Sequence, residues 1–412
     1  MATLADDPLS GNRVSNPQAT APRQRIDMAR VTQLADRAAA MVTEIRGRLL
    51  APEARKVAPT FNATQVAALC GVDKAHVAYR ITKGGALPTG RLTPTGGRRE
   101  FSLAELRLWA REYRQAHHRP PGGRAVTVAV GNFKGGVAKT TTAMVLAQGL
   151  SMRGHRVLAI DVDPQGSMTT LFGILPETEV EQDMTIVPIC LGQAQDIRYA
   201  IQKTYWDGVD LVPAAPFLFQ AEFSLPAMQM TDPSARFWDV LNASLESVRS
   251  EYDVIVIDTP PSLSYVTINA FMAADGIVVP VPPSALDFAS SAQFWGLFAD
   301  LGSNLDRASS QTKCFDFLHV LLSRVDQSDV ATPAVRQWIQ ATYGEYLLPV
   351  EVPKTTVTSS KAAEFGTVYD VQRYEGSAKT YKRAAEAYDR VVELVEQSIS
   401  QTWRASPSTT GN

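Results

Sequence analysis

The segment from residue 131 to residue 142 reads Gly131-Asn132-Phe133-Lys134-Gly135-Gly136-Val137-Ala138-Lys139-Thr140-Thr141-Thr142, and it joins an apolar strand-like run to an apolar run with helical period. Paired glycines let backbone N–H groups close around phosphate oxygens, a lysine at the helix start reaches the terminal phosphates, and the next hydroxyl can hold Mg²⁺. Phe133 and Ala138 stand where the pattern G-x-x-x-x-G-K-[ST] requires glycine. The segment predicts a phosphate-binding loop of altered pattern; a surface turn that opens a helix is the structural alternative.

The overall composition restricts the classes of function. The chain has 412 residues and a formal net charge of -2, so any contact with nucleic acid must come from a local basic surface. Cys70, Cys190 and Cys314 are far apart in the sequence, which argues against a C-x-x-C zinc or iron–sulfur pair and fits a reducing compartment. No apolar run reaches the ~18 residues of a membrane span, and the start of the chain has no secretory pattern. These features predict a soluble cytoplasmic protein.

Changes in composition predict the domain organisation. Residues 1–24 are polar and proline-containing and are expected to be a disordered tail, as are residues 404–412. Apolar residues recur at steps of three and four between 25 and 50, which predicts an amphipathic helix that packs on its own domain or pairs with the same helix of a second subunit. A DNA-binding domain is predicted at 51–116, a linker at 117–124 and a large α/β domain at 125–403.

Residues 60–112 have the spacing of a winged helix-turn-helix. Thr64 and Asp73 are predicted N-caps of two short helices separated by Gly71, and a glycine- and arginine-rich hairpin precedes a third helix from Ser102. Such a unit lays its second helix in the major groove and its wing on phosphates or in the minor groove. A helical packing module is the alternative. The candidate DNA contacts are Lys74, His76, Tyr79 and Arg80 on the second helix and Arg91, Arg98 and Arg99 on the wing.

Two acidic segments follow strand-like runs in the large domain. They read Leu158-Ala159-Ile160-Asp161-Val162-Asp163-Pro164-Gln165-Gly166 and Val254-Ile255-Val256-Ile257-Asp258-Thr259-Pro260-Pro261. Strands predicted at 125–130, 156–160, 254–257, 276–281 and 317–322 alternate with helical patterns, which predicts a mostly parallel sheet with helices on both faces. Ligands bind at the carboxyl ends of such strands, so the loop and both acidic segments are expected to share one crevice, where Asp258 would bind Mg²⁺ through water.

The order of these segments resembles the ParA/MinD class of P-loop ATPases, whose deviant Walker A motif carries an additional lysine at the position of Lys134. Residues 25–403 resemble in particular the larger, plasmid-type ParA proteins with an N-terminal helix-turn-helix, including RepA of repABC plasmids. The resemblance implies a P-loop NTPase-like fold, a homodimer that encloses two ATP molecules with Mg²⁺, and slow hydrolysis. It also implies DNA segregation on the nucleoid. The ATP form would bind DNA non-specifically, a ParB-type centromere-binding protein would stimulate hydrolysis, and the N-terminal module would bind an operator and repress the operon.

The resemblance further implies roles for individual residues. Lys134 would reach the partner's nucleotide, and Lys139 would bind the terminal phosphates. Asp163 would orient or activate the attacking water, while Asp161 would support the Mg²⁺ shell. The implied ATP-binding residues are Lys134, Gly135, Gly136, Val137, Ala138, Lys139, Thr140, Thr141, Val352 and Pro353, and the implied metal ligands are Thr140, Asp161 and Asp258. Arg324, Lys354 and Lys361 are candidates for sequence-independent DNA binding, with a solvated charged surface as the alternative for each.

Other classes of protein also use a phosphate loop. An ATP-gated transcriptional repressor without transport would lack partner-stimulated hydrolysis, and a related positioning ATPase would differ in its cargo. A membrane-positioning ATPase of the MinD kind needs a basic amphipathic C-terminal helix, whereas Thr402-Trp403-Arg404 is followed by a neutral polar tail. A metabolic P-loop enzyme or an iron–sulfur carrier is disfavoured by the cysteine spacing and by the DNA-binding module.

Overall fold

The computed structural model describes residues 27–49, 56–94, 96–308, 312–354, 366–371 and 377–405. Its contacts divide the chain into two compact units, residues 1–54 and residues 55–412. In the first unit, helix α1 (Met28–Leu49) occupies most of the predicted helix at 25–50, and its side chains are exposed from Met28 to Met41. The predicted tail at 1–24 and residues 406–412 of the second tail lie outside the described residues.

The second unit begins with two short helices, a hairpin and a further helix. The elements are β1 (Phe61–Asn62), α2 (Ala63–Cys70), α3 (Lys74–Lys83), β2 (Arg91–Leu92), β3 (Arg99–Phe101) and α4 (Leu103–Tyr113). Gly71 ends α2 with a left-handed backbone, φ 68°, which lets the chain turn sharply into α3. The three strands form an antiparallel sheet in the order β1-β3-β2, so the hairpin β2-β3 is the wing.

Side-chain caps fix where these helices begin. Asn62, one residue before α2, accepts the backbone N–H of Thr64 at 2.9 Å and that of Gln65 at 3.1 Å, so the predicted cap at Thr64 was placed two residues too late. Asp73 caps α3 by accepting the N–H of His76 at 2.6 Å, as predicted. Ser102 caps α4 in a reciprocal pair with Glu105, which fixes the helix that faces the large domain.

An eight-stranded sheet forms the large domain. Its strands are β4 (Val126–Val130), β5 (Val157–Asp161), β6 (Gln202–Lys203), β7 (Val209–Val212), β8 (Val254–Asp258), β9 (Gly276–Val281), β10 (Phe317–Val325) and β11 (Leu347–Pro353). Their order is β11-β10-β9-β4-β8-β5-β7-β6, and neighbouring strands run parallel except β6, which is antiparallel to β7. The predicted mostly parallel α/β fold is therefore confirmed, although the strand pattern had not indicated β6, β7 or β11.

Helices cover both faces of this sheet. They are α5 (Lys139–Met152), α6 (Ser167–Leu171), α7 (Val187–Cys190), α8 (Ala221–Thr231), α9 (Val240–Leu245), α10 (Tyr265–Ala273), α11 (Ala285–Ala308), α12 (Thr332–Tyr343) and α13 (Ala378–Ala405). On one face Val128 packs in a cluster with Leu146 of α5 and Val392 of α13, and on the other Ala129 belongs to a cluster with Phe271 of α10. Both faces are buried, which explains why the central strands are continuously apolar.

Helix α13 extends two residues beyond the predicted end of the large domain at residue 403. Arg404 and Ala405 continue α13 and so do not belong to a tail. Within the described ranges, no helix has both the length and the apolar composition that a membrane crossing requires.

Arg107 of α4 anchors the winged module on the large domain. Its guanidinium donates from Nε to the carbonyl of Ser151 and from Nη2 to the carbonyl of His155, each at 3.1 Å, and pairs with Asp207. Gly208 makes room for it, because an added Cβ there would lie 2.1 Å from the guanidinium carbon. A buried arginine with fixed backbone acceptors orients the module as part of the same compact unit.

A second anchor is the buried carboxylate of Glu396 on α13. It lies 3.5 Å from Nε of Arg153, accepts a hydrogen bond from the ring of His155 at 2.9 Å, and pairs with Arg114 just after α4. Burial alone would raise the pKa of Glu396, but the hydrogen bond from His155 and the positive charges nearby lower it to about 2. The winged module, the end of α5 and α13 are thus joined by one ionised group.

Candidate functional site

The phosphate loop connects β4 to α5, and its backbone adopts left-handed conformations at two positions. Gly136 has φ 74° and Ala138 has φ 73°. Ala138 is also the N-cap of α5. Its carbonyl accepts two hydrogen bonds from Thr142, one from the backbone N–H at 3.0 Å and one from the side-chain hydroxyl at 2.7 Å. A left-handed alanine costs about 1 kcal/mol relative to glycine. The loop thus keeps the conformation that the usual glycine would give, at some cost in stability.

Lys139 begins α5 and points back into the loop. Its ammonium donates to the carbonyl of Lys134 at 2.8 Å, and the side chain is buried. Burial lowers the pKa of Lys139, while the nearby carboxylates of Asp258 and Asp163 raise it. A desolvated ammonium held between a backbone carbonyl and acidic groups is suited to bind phosphate oxygens that enter the loop.

Asp258 ends β8, the strand next to β4, and is completely buried. In the part of the chain that the structure describes, neither of its carboxylate oxygens has a hydrogen-bond partner of normal geometry, although the hydroxyl of Thr140 is close enough to lower its pKa. Burial and the charge of Asp161 nevertheless raise the pKa of Asp258 well above its usual value. A buried carboxylate without a well-placed hydrogen-bond donor is suited to bind a cation. The carboxylate of Asp258 and the hydroxyl of Thr140 are oxygen ligands that could hold Mg²⁺ beside bound phosphates. No group of three or more His, Cys, Asp or Glu side chains that could hold a metal by protein ligands alone occurs among the described residues.

Asp161 lies opposite Asp258 in the pairing of β5 with β8, but its oxygens are already engaged. One accepts the N–H of Asp163 at 3.1 Å, and the other accepts the N–H and the hydroxyl of Thr169 at 2.9 and 2.8 Å. Burial raises its pKa to about 7. Asp161 therefore fixes the turn that carries Asp163, and its predicted support of the Mg²⁺ shell stays a prediction. The contribution of Thr169 was missed, because the sequence gives no signal for it.

Asp163 is held at the start of the turn after β5. Its Oδ1 accepts the N–H of Gln165 at 2.9 Å, and its carbonyl accepts the N–H of Gly166 at 2.8 Å. Gly166 has φ 60°, and a Cβ there would lie 2.4 Å from Pro176, so a side chain would disrupt the turn. The carboxylate of Asp163 is nine-tenths buried and acts on Lys139 through its charge, which places it at the same crevice as Lys139 and Asp258.

A cleft of about 390 Å³ adjoins the outer side of the loop. Its walls include Lys134 and Gly136 of the loop, Asp287 of α11, Arg324 at the end of β10, and Lys354 after β11. Lys134 pairs with Asp287 at 2.5 Å, and its backbone N–H donates to the side chain of Asn132 at 3.2 Å. The extra lysine is thus engaged within its own chain.

Most of the residues proposed for adenine and for sequence-independent DNA binding lie at the ends of β10 and β11 or directly after β11. Val352 is buried in the apolar cluster under α13, whereas Pro353 is half-buried at the end of β11. Arg324 is exposed, and one of its guanidinium nitrogens donates to the carbonyl of Gly136 at 2.9 Å, so the residue contacts the phosphate loop. Lys354 is exposed and pairs with Asp326 at 3.1 Å. Lys361 lies outside the described residues.

Strain is concentrated at this loop. In the described ranges, Ala138 and Arg324 are the non-glycine residues with positive φ, 73° and 51°. Ala138 is part of the loop, and Arg324 contacts it. Residues with a left-handed backbone are concentrated at functional sites.

The candidate DNA contacts of the winged module fall into two groups, exposed side chains and side chains that have partners within the chain. Lys74, Tyr79, Arg91 and Arg98 are exposed. The ring of His76 is hydrogen-bonded to the hydroxyl of Tyr113 at 2.7 Å.

Two of the candidate arginines also have partners in the chain. Arg99 donates to the carbonyls of Thr89 and Gly90 at 3.0 and 3.2 Å and so supports the wing from within. Arg80 lies 4.0 Å from Glu112, half-exposed. The exposed face of α3 and the tip of the wing remain open to a ligand.

A left-handed glycine-rich loop between strand and helix, a buried lysine, and carboxylates at the ends of neighbouring parallel strands define a P-loop-type nucleotide-binding protein. A family model described as an AAA domain matches residues 125–307. A putative replication protein A of Rhizobium rhizogenes is 33% identical over 86% of this chain and 90% of its own, and the chromosome partitioning protein ParA of Caulobacter vibrioides is 31% identical over 64% of this chain and 94% of its own. The chain belongs to the ParA family of plasmid and chromosome partition ATPases.

A solved structure places a nucleotide in this fold. Cobyrinic acid a,c-diamide synthase from Mycobacterium smegmatis, with a bound ATP analogue and magnesium, is 26% identical, covers 68% of this chain and 96% of its own, and superposes with a TM-score of 0.52. The relative is an amide synthase, so the shared architecture does not by itself define the reaction.

Proposed function

We propose that this protein is a plasmid-type partition ATPase that binds ATP with Mg²⁺, closes a homodimer around two nucleotides and hydrolyses them slowly. The observation that carries the proposal is the meeting of Lys139, Asp163 and Asp258 at the carboxyl ends of the adjacent strands β4, β5 and β8. A phosphate loop without acidic groups can bind a nucleotide, whereas these carboxylates add a cation site and a group that can orient water.

The chain's own groups account for most of what phosphoryl transfer requires. The loop N–H groups at 135–140 and the ammonium of Lys139 hold and neutralise the phosphates, and no covalent nucleophile is needed. Asp163, fixed by Gln165 and Asp161, would hold the attacking water in line. Thr140 and Asp258 would hold Mg²⁺, which would supply positive charge near the phosphates. Lys134 would act on the nucleotide of the partner subunit.

Loss of the loop lysine tests the site directly. Lys139→Ala should abolish ATP turnover in the purified protein, because the terminal phosphates lose their only buried ammonium among the described loop residues. Lys382→Ala on the exposed face of α13 is the matched control and should hydrolyse ATP like the wild type. Undiminished turnover by Lys139→Ala would reject the proposed site.

The proposed cellular role is DNA segregation in the cytoplasm, on the nucleoid. The ATP-bound dimer would bind DNA non-specifically. A ParB-type centromere-binding protein would stimulate ATP hydrolysis and so release the dimer from the DNA. ATP turnover should therefore be measured alone, with plain DNA, and with the centromere-binding protein of the same operon. Stimulation by that protein supports segregation.

A second candidate function is an ATP-gated repressor without transport, which the open face of α3 favours. Absence of partner stimulation, together with operator binding, would support this function instead. Arg98→Ala should weaken operator binding because the exposed wing loses a phosphate contact. Non-specific DNA binding by the ATP form should be unchanged, and equal losses in both would contradict separate DNA-binding surfaces.

A further inference from the structure

The additional lysine of the loop has a partner that the sequence did not reveal. The ammonium of Lys134 lies 2.5 Å from Oδ1 of Asp287, in the first turn of α11. The lysine side chain is 34% exposed and the aspartate side chain 15% exposed. The pair therefore lies at the rim of the cleft beside the loop, where it is only partly screened by solvent.

The aspartate is held in place before any ligand arrives. The backbone N–H of Asp287 donates to the hydroxyl of Ser284 at 3.2 Å, and that hydroxyl in turn bonds the other carboxylate oxygen. Ser284 is itself fixed by a turn, since its N–H donates to the carbonyl of Pro282 at 2.9 Å. The carboxylate thus has one oxygen committed to its own helix start and the other aimed at Lys134.

The lysine backbone is equally constrained, whereas its side chain is not. The N–H of Lys134 donates to Asn132, and its carbonyl accepts the ammonium of Lys139. Asn132 is buried and donates to the carbonyl of Pro280 at 2.8 Å. Only the long side chain of Lys134 can therefore move without disturbing the loop.

We propose that Asp287 is the resting-state partner of Lys134 and holds the lysine within its own subunit until a nucleotide-loaded partner competes for it. This inference rests on the proposed ATP-dependent homodimer, in which Lys134 acts on the nucleotide of the other subunit. Asp287 is a positioning residue: it acts through Lys134 and does not contact the reacting atoms. Each protomer must break one such pair when the dimer closes, so the pair opposes dimerisation twice.

The expected effect is modest per protomer and measurable in the dimer. A partly exposed ion pair shifts the equilibrium constant of a process that breaks it by about 1.5- to 5-fold, and each dimer breaks two such pairs. Asp287→Asn should therefore tighten the ATP-dependent dimer by about 2- to 25-fold. Glu351→Gln is the control, because Glu351 pairs with Arg336 at 2.5 Å, with side chains 35% and 37% exposed, but at the α12–β11 side of the domain. It should leave the dimer constant unchanged.

Two measurements separate the resting pair from a structural role. Sedimentation with ATP and Mg²⁺ gives the dimer constant of wild type, Asp287→Asn, Lys134→Ala and the double variant. Asp287→Asn should have no effect once Lys134 is replaced. The second measurement is amine labelling of the nucleotide-free protein, read by mass spectrometry at Lys134. Labelling should be faster in Asp287→Asn than in wild type, because the ammonium of Lys134 no longer has its ion pair with Asp287.

The outcomes distinguish the two proposals. A wild type that fails to dimerise with ATP refutes the proposed function, while faster labelling of Lys134 in Asp287→Asn would still support the resting pair. A wild type that dimerises normally, with an Asp287→Asn variant that dimerises equally or more weakly, overturns the role of Asp287. Equal labelling of Lys134 in the two proteins overturns it as well.

Discussion

The carboxylate of Glu396 should be one of the largest single contributions to the stability of the second unit. Lowering its pKa from 4.5 to about 2 corresponds to about 3 kcal/mol of stabilisation at neutral pH. Glu396 is 1% exposed, so this value needs no correction for solvent screening. Glu396→Gln keeps the shape of the side chain but removes the charge that Arg114 and Arg153 share. We expect it to lower the free energy of unfolding by about 3 kcal/mol at pH 7.

The pH dependence gives an independent check of the same reasoning. Because the pKa of Glu396 is lower in the folded state, its stabilisation is complete above the unfolded value and is lost as pH falls toward 2. At pH 4 the wild type should have lost about 0.8 kcal/mol of this contribution, a loss that Glu396→Gln cannot show. The difference in stability between the two proteins should therefore narrow on acidification.

The assay is urea unfolding followed by circular dichroism at pH 7 and pH 4, with Glu393→Gln as the matched control. Glu393 lies one turn earlier on α13 and pairs with Arg390 at 2.8 Å, but both side chains are nearly half exposed. Its substitution should change the free energy of unfolding by less than about 0.5 kcal/mol. A Glu396→Gln variant as stable as this control, or a difference from wild type that does not depend on pH, would refute the argument.

Three backbone and packing features give further predictions. Ala138→Gly should stabilise the nucleotide-free protein by about 1 kcal/mol, because φ 73° strains alanine but not glycine; a lower melting temperature would contradict this. Gly208→Ala should destabilise the protein by about 2 kcal/mol or more, because the new methyl group meets Arg107. Gly192→Ala is the control, because Gly192 has φ 70° and open space around it, and it should cost about 1 kcal/mol. Equal losses of stability in the two variants would exclude the steric clash as the cause. Asn62→Ala should cost about 1 kcal/mol in urea unfolding by removing the cap of α2, and Asp73→Ala a similar amount at α3; a negligible loss in either variant would show that its cap is dispensable.

The parts of the site that the sequence predicts are those fixed by neighbouring residues. The phosphate loop follows from its glycines and lysines, and Asp258 follows from an apolar strand that ends in a carboxylate. Parallel strands then bring these segments to one edge of the sheet. Local pattern was therefore enough for the fold class and for the groups that face the phosphates.

The parts that the sequence does not predict depend on contacts between distant segments. Thr169 binds Asp161 from a helix of five residues, and Asp287 reaches Lys134 from the other side of the loop. Val352 is apolar at a strand end, a pattern that fits a base-binding side chain and a core residue equally well, so the sequence does not predict its packing under α13. The resemblance implies a DNA contact for Arg324, but the sequence gives no sign of its left-handed backbone or of its hydrogen bond to the phosphate loop.

The ion pair between Arg114 and Glu396 joins residues that are 282 positions apart in the chain. On a ribosome that adds about 5 to 20 residues per second, the arginine is added to the chain roughly 15 to 60 seconds before the glutamate. During that interval the winged module can contact the end of α5 but lacks the contacts that α13 supplies. The winged module therefore completes its packing only after α13 has been synthesised.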